Sequence, residues 1–170
     1  MRQPMTTFHS IRLTLFALLA IGSLLSGCKK TGSDVEPDVD PRDQVVGTYT
    51  GDFSSVISVG SVVGNPEKGT AATTITKVST PKQILVENNY ANGGYVEKVT
   101  AELQSDGSYL VIDKKADQIT VSGLGKYDSD YNASAVFDLS KGTFAYTATA
   151  RVLQTGTEVK RVNIITGNKK

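Results

Sequence analysis

The chain predicts an all-β domain, a single antiparallel up-and-down barrel of about eight strands, and three observations carry that expectation. From Gln44 to Asn168 the residues fall into short alternating runs rich in Val, Ile, Thr and Tyr, separated by Gly, Asn, Asp and Ser. No window in that region gives a helical period with capping residues at its ends. The runs are numerous and their connections short, and a long open meander would leave two exposed edges that closure removes. A Greek-key sandwich fits the same pattern, because periodicity does not separate the two.

Residues 1–27 read as an export signal. A short segment carrying Arg2, His9 and Arg12 precedes an apolar run from Leu13 to Leu25, broken only by Thr14, Gly22 and Ser23. That run is too short to span a bilayer and ends in small residues, as a cleaved signal peptide does. The residues Leu25-Ser26-Gly27-Cys28 resemble the lipobox of bacterial lipoproteins, an aliphatic and two small residues before a cysteine. The resemblance implies cleavage before Cys28 by signal peptidase II. It also implies diacylglycerol on the Cys28 thiol and a further acyl chain, such as palmitate, on the new amino group. Three chains bury enough CH₂ groups, at about 0.8 kcal/mol each, for stable anchoring where one is marginal.

Removal of residues 1–27 changes what the composition permits. Arg2 and Arg12 leave, so Lys plus Arg falls from 18 to 16 against 17 acidic residues, and +1 becomes −1. His9, the one histidine, leaves as well. The mature chain then has no His, no Trp and one Cys, capped by lipid. Ser-His-Asp and Cys-His catalysis, histidine acid–base chemistry and Cys/His zinc sites are excluded, and so is a disulfide. Mixed charges near neutrality leave no footprint for nucleic acid, and no cofactor is implied.

Residues 28–43 are expected to form the lipidated cysteine and a disordered acidic tether. Lys29, Lys30 and Arg42 stand against Asp34, Glu36, Asp38, Asp40 and Asp43, with Pro37 and Pro41 and no apolar period. The acids of Asp34-Val-Glu-Pro-Asp38-Val-Asp40 lack the glycine and terminal Glu of a calcium loop. In Gram-negative lipoproteins an aspartate after the lipidated cysteine marks inner-membrane retention. Lys29 stands there, so the resemblance implies the outer membrane and leaves the leaflet open.

Strands are expected around Val45, Gly47, Tyr49, Gly51 and Phe53, then at 70–79, 83–88, Val99 to Leu103, 108–113, 117–123, Ala133 to Leu139, Phe144 to Val152 and 158–166. Turns are expected at Gly64 to Glu67, Asn88-Asn89 with Asn92-Gly93-Gly94, Ser105 to Gly107, Gly125 to Asn132, Ser140 to Gly142 and Gly156. Ser54 to Val63 reads either as an apolar loop over the barrel mouth or as a continuation of the first strand. The barrel domain is placed at 44–170.

Gly47-Thr48-Tyr49, at the start of the first strand, resembles the Gly-x-Trp of lipocalin-like (calycin) proteins with Tyr for Trp. The resemblance implies a barrel whose mouth takes a small apolar ligand. It also implies closure by an arginine over the Tyr49 ring, with Arg161 as candidate and Arg151 as alternative.

Tyr90, Tyr127 and Tyr131 fall among Asn, Asp and Gly in expected loops, a setting suited to ligand, glycan or protein contact. Asp128-Ser-Asp130-Tyr-Asn132 begins like a calcium loop, but Ala133 replaces the glycine, so a turn is expected and no metal. Ser79-Thr-Pro-Lys82 and Lys30-Thr31-Gly32 spell fragments of the penicillin-binding signature in the wrong order, as coincidences. Two classes remain. One is a non-catalytic, membrane-anchored envelope module that holds a small apolar ligand or contacts an envelope protein or glycan. The other is a carboxylate-dependent glycan-processing enzyme, for which Glu87, Glu97, Glu102 and Asp113 are the candidate acids, expected on solvated faces.

Overall fold

A computed structural model of the chain describes residues 39–91 and 94–170. The chain divides into Met1–Asp38 and Val39–Lys170. The signal peptide, Cys28 and most of the expected tether lie outside the described residues, as do Asn92 and Gly93.

The domain is a closed antiparallel barrel. A short helix, α1 (Arg42–Val45), precedes ten strands: β1 (Gly47–Val59), β2 (Val62–Val63), β3 (Glu67–Lys77), β4 (Gln83–Tyr90), β5 (Tyr95–Leu103), β6 (Tyr109–Val111), β7 (Ala116–Val121), β8 (Gly125–Asp138), β9 (Thr143–Gln154) and β10 (Thr157–Lys169). Eight of them run in the order β1-β3-β4-β5-β6-β8-β9-β10, and β10 pairs back onto β1. That up-and-down order replaces the sandwich alternative. β2 adds to β1, and β7 adds to β8. β1 runs unbroken to Val59 along β10, so Ser54 to Val59 continue the first strand and only the tip folds back as β2.

Alternation does the sorting. Thr70, Thr74 and Thr76 of β3 and Lys126, Asp128, Asp130 and Asn132 of β8 face outward and are exposed. Ala71, Thr73 and Ile75 of β3 and Tyr131, Ala133 and Ala135 of β8 face inward and are buried. A membrane-spanning barrel carries its apolar band on the outside, the reverse of this pattern. Closure depends on Gly51 and Gly167, which pair across β1 and β10. A Cβ on Gly51 would lie 2.0 Å from the Thr166 carbonyl oxygen, so only glycine lets these backbones approach.

The two ends differ. At one, the rings of Tyr49, Phe137, Phe144 and Tyr109 pack together at centroid separations of 5.2 to 5.7 Å. α1 plugs this end: Val45 is buried, and its carbonyl accepts the Tyr49 hydroxyl at 2.9 Å. The Arg42 guanidinium donates to the carbonyls of Val78, Thr80 and Gln83 and to the Asp40 carboxylate. The last residues of the expected tether are therefore part of the domain. Their polar composition satisfies the carbonyls of the β3–β4 turn rather than water.

At the other end the hairpins are unequal. β4 and β5 turn back at Tyr90 and Tyr95, with Tyr90 opposite Ala71, while β3 runs on to Glu67 and β1 to Val59. Two expected turns are corrected here. Asn88 lies inside β4 with its side chain buried, and 125–132 is the first half of β8 rather than a loop. Asn and Asp dominate both stretches, but cross-strand pairing outweighs their turn preference.

The expected closure is also corrected. Tyr49 is 2% exposed, as a closing aromatic should be, but its partner across β10 is Lys169, whose Nζ lies 6.0 Å from the ring centroid. Arg161 pairs with Ile57, further along the strand, and Arg151 faces Glu158 from 3.9 Å at the surface. A strand of thirteen residues offers several cations in the right part of the sequence, and only register selects one. Tyr49→Ala should cost about 3 to 5 kcal/mol. Its effect should add to that of Arg161→Ala within about 0.5 kcal/mol, since the two do not touch. Denaturant melts of both single variants and the double variant check this.

Candidate functional site

Beyond the short β4–β5 hairpin lies a pocket of about 370 Å³ on the inward face of the barrel. β1 supplies Phe53 and Ser55, β10 supplies Arg161 and Asn163, and β3 supplies Glu67 at the rim. Tyr90, Tyr95, Glu97 and Asp117 complete the lining. The volume is at the lower end of the range of about 300 to 1,000 Å³ for small-molecule sites. Tyr95 stacks on Tyr90 at 5.8 Å, and Phe53 meets Tyr90 edge-on at 4.7 Å.

The floor of the pocket is a buried carboxylate. Glu97 is 6% exposed and faces inward from β5. Its Oε1 accepts from Lys114 Nζ at 2.8 Å and from the Tyr131 hydroxyl at 2.9 Å. Its Oε2 accepts from the Tyr90 hydroxyl at 3.3 Å and from Asn88 Nδ2 at 3.4 Å, and the Tyr146 hydroxyl lies 3.2 Å from it. Thr73 donates to Asn88 Oδ1 at 2.8 Å, which fixes the amide with its nitrogen toward Glu97. Tyr131 and Tyr146 are 2.7 Å apart, and each hydroxyl has one proton. A consistent arrangement has Tyr146 donating to Tyr131 and Tyr131 donating to Glu97.

A gap in the wall admits the cation. β6 pairs with β5 only from Ala101 to Leu103, and β7 pairs with β8 instead. Lys114 lies in the break between β6 and β7. Its ammonium sits 4.1 Å from the Tyr131 ring centroid and also bonds Asp117 at 3.2 Å. Asp117 in turn binds Arg161 Nη2, while Arg161 Nη1 donates to the Gln118 carbonyl at 3.2 Å. The result is a chain of alternating charge, Glu97, Lys114, Asp117, Arg161, running from the floor to the mouth.

These contacts set the protonation states. Burial pushes the Glu97 carboxyl up, but Lys114, Tyr131 and Asn88 more than offset it and hold the group below its ordinary value. Burial lowers and Glu97 raises the Lys114 ammonium, with a net rise. Tyr90, Tyr131 and Tyr146 are pushed well above the usual tyrosine range, first by burial and then by the Glu97 charge. The floor therefore consists of a carboxylate, an ammonium and three neutral phenols.

Of the tyrosines expected to contact ligand, Tyr90 lines the pocket, Tyr131 lies in its floor, and Tyr127 lies apart, with its hydroxyl on the Leu124 carbonyl at 3.1 Å. Of the candidate carboxylates, Glu87 pairs with Lys98, Glu102 accepts from Gln83, and Asp113 accepts from the Thr100 amide, all away from the pocket. Glu97, expected on a solvated face, is buried instead. Asp128, Asp130 and Asn132 are exposed along a strand, and among the described residues no group of acids, Cys or His is placed to hold a metal.

The Glu97–Lys114 pair predicts strong coupling. Glu97→Gln and Lys114→Met each leave a partly or fully buried charge without its partner and should each cost about 3 to 5 kcal/mol. The double variant should be less destabilised than the sum by about 0.5 to 3 kcal/mol, as read from urea melts. Small, additive losses would mean the pair is solvated.

No family model matches the chain, nor does any curated protein, so the side chains of this pocket alone carry the functional reading.

Proposed function

We propose that the chain is a lipid-anchored protein of the bacterial cell envelope, tethered at the outer membrane through Cys28, whose barrel binds a small molecule without transforming it. The observation that carries the binding half is the pocket at the open end. It joins three aromatic rings to a polar floor that is already hydrogen-bonded without a ligand, and such a floor costs no reorganisation on binding. The ligand this lining favours is amphipathic rather than purely apolar, because Ser55, Asn163 and Arg161 share the wall with Phe53, Tyr90 and Tyr95.

The floor supports binding rather than catalysis. Glycoside hydrolysis by two carboxyls requires one held protonated as an acid. Glu97 is held ionised with both oxygens occupied, and Asp117 is shared between Lys114 and Arg161.

The anchoring half rests on Leu25-Ser26-Gly27-Cys28. Cys28→Ala should abolish incorporation of labelled palmitate and leave the uncut precursor to accumulate, since the chain has no other thiol. Mature-sized protein in that strain would overturn the lipobox reading.

The binding half is tested by native mass spectrometry of the full chain, extracted from its membrane in non-ionic detergent. The expected result is a small mass retained beyond the acylated protein, and lost in Ser55→Phe, where the added ring would occupy the pocket. The bare acylated mass alone in both proteins would count against a pocket ligand.

A further inference from the structure

We propose that the occupant of the pocket is an organic monocation, an ammonium group carried on a small ring or apolar body. The inference rests on the binding reading above and deepens it. Five charged side chains face the site: the carboxylates of Glu67, Glu97 and Asp117, the Lys114 ammonium and the Arg161 guanidinium. Four of them cancel in the chain from Glu97 to Arg161. Both terminal nitrogens of Arg161 are engaged, by Asp117 and by the Gln118 carbonyl, and Lys114 is held between two carboxylates. Both cations thus have their charge compensated inside the protein, and the chain from Glu97 to Arg161 adds no net positive charge to the pocket.

Glu67 is the remainder. It lines the rim and has no hydrogen bond or ion pair among the described residues. The neighbouring cations Lys68 and Lys160 alternate with inward positions of β3 and β10 and point outward. One uncompensated negative charge therefore faces the pocket.

The aromatic wall points the same way. Tyr95 is 57% exposed and backed by Tyr90, and Phe53 packs edge-on against Tyr90 in the same lining. Ring faces attract a cation by about 0.5 to 2 kcal/mol each and give an anion no such gain. Below Tyr131 the same contact is already made within the protein, by Lys114. Ser55 donates to Asn163 Oδ1 at 2.7 Å, which leaves the Asn163 amide nitrogen to hold a polar atom on the body of the ligand.

Three probes of similar shape separate the outcomes: benzyltrimethylammonium, benzyl alcohol and phenylacetate, titrated by calorimetry into the full chain in non-ionic detergent. The ammonium should bind most tightly, and its affinity should fall with added salt. Glu67→Gln should weaken the ammonium about three- to tenfold and leave the alcohol unchanged. Tyr95→Ala, at an exposed position that should not affect folding, should weaken both. Equal binding of the alcohol and the ammonium, or tightest binding of phenylacetate, would overturn the charge inference while leaving the pocket a binding site. Ammonium binding untouched by Tyr95→Ala would place the probe on the surface and overturn the inference as well. If no probe binds and the native mass spectrum also retains nothing, both readings fall.

Discussion

A carboxylate carried into the interior of a β-barrel has to be met there, and much of this molecule is arranged around meeting Glu97. Taking an ion from water costs several kcal/mol even after relaxation, so its partners must fill every lone pair they can. Four donors do so, from β4, from β8 and from the break before β7: Asn88, Tyr90, Tyr131 and Lys114, with the Tyr146 hydroxyl supporting Tyr131 from β9. Strands far apart in sequence are thereby joined through one residue. Packing of Ile75, Ile84, Val86 and Val99 beneath supplies the apolar stabilisation, and the polar layer fixes which way the aromatic side chains above it point.

Replacing a buried ion pair by well-packed apolar residues is often neutral or stabilising, so the network is weak support for stability as such. What it provides is a rigid, saturated floor. Both Glu97 oxygens are occupied, and the Lys114 ammonium is shared between the carboxylates of Glu97 and Asp117. Under the binding function proposed above, selectivity would be left to the rim and walls, where Glu67, Asn163 and the three rings stand. The barrel thus separates a filled polar layer from an open, aromatic-lined one above it.

Much of this was legible by continuing the alternation that defines the strands. Val99, Ala101 and Leu103 mark the inward face of β5, and two residues back on that face is Glu97. Ala133 and Ala135 lead back in the same way to Tyr131, and Phe144 and Ala148 bracket Tyr146. Tyr146 was expected in its strand, but Tyr90, Tyr131 and Asn88 were expected in loops or turns because Asn, Asp and Gly surround them. Local turn preference is weak beside a ladder of cross-strand pairs, and the period of two was the better guide. The strand-rich class and the closed barrel followed from patterning that long-range pairing reinforces.

Lys114, Asp117 and Arg161 were not legible, and the reason is geometric. Their meeting depends on β6 and β7 being one interrupted path along β8, with β6 shared by β5 and β7 released from it. The break places Lys114 at the opening beside the lower half of β5 and lets its ammonium reach inward. No local pattern in Val111-Ile112-Asp113-Lys114-Lys115-Ala116 marks which of two adjacent lysines turns in. Register decides: Tyr131 N–H bonds the Lys115 carbonyl, and Lys115 itself is exposed. The same holds for the cation near Tyr49, where eight residues along β10 separate Lys169 from Arg161. The inward face of a strand can be read from its own sequence. Which two inward residues meet across a closed sheet is set by the stagger of every strand between them, and in this barrel that stagger puts the charges at the mouth and the aromatic seal at the opposite end.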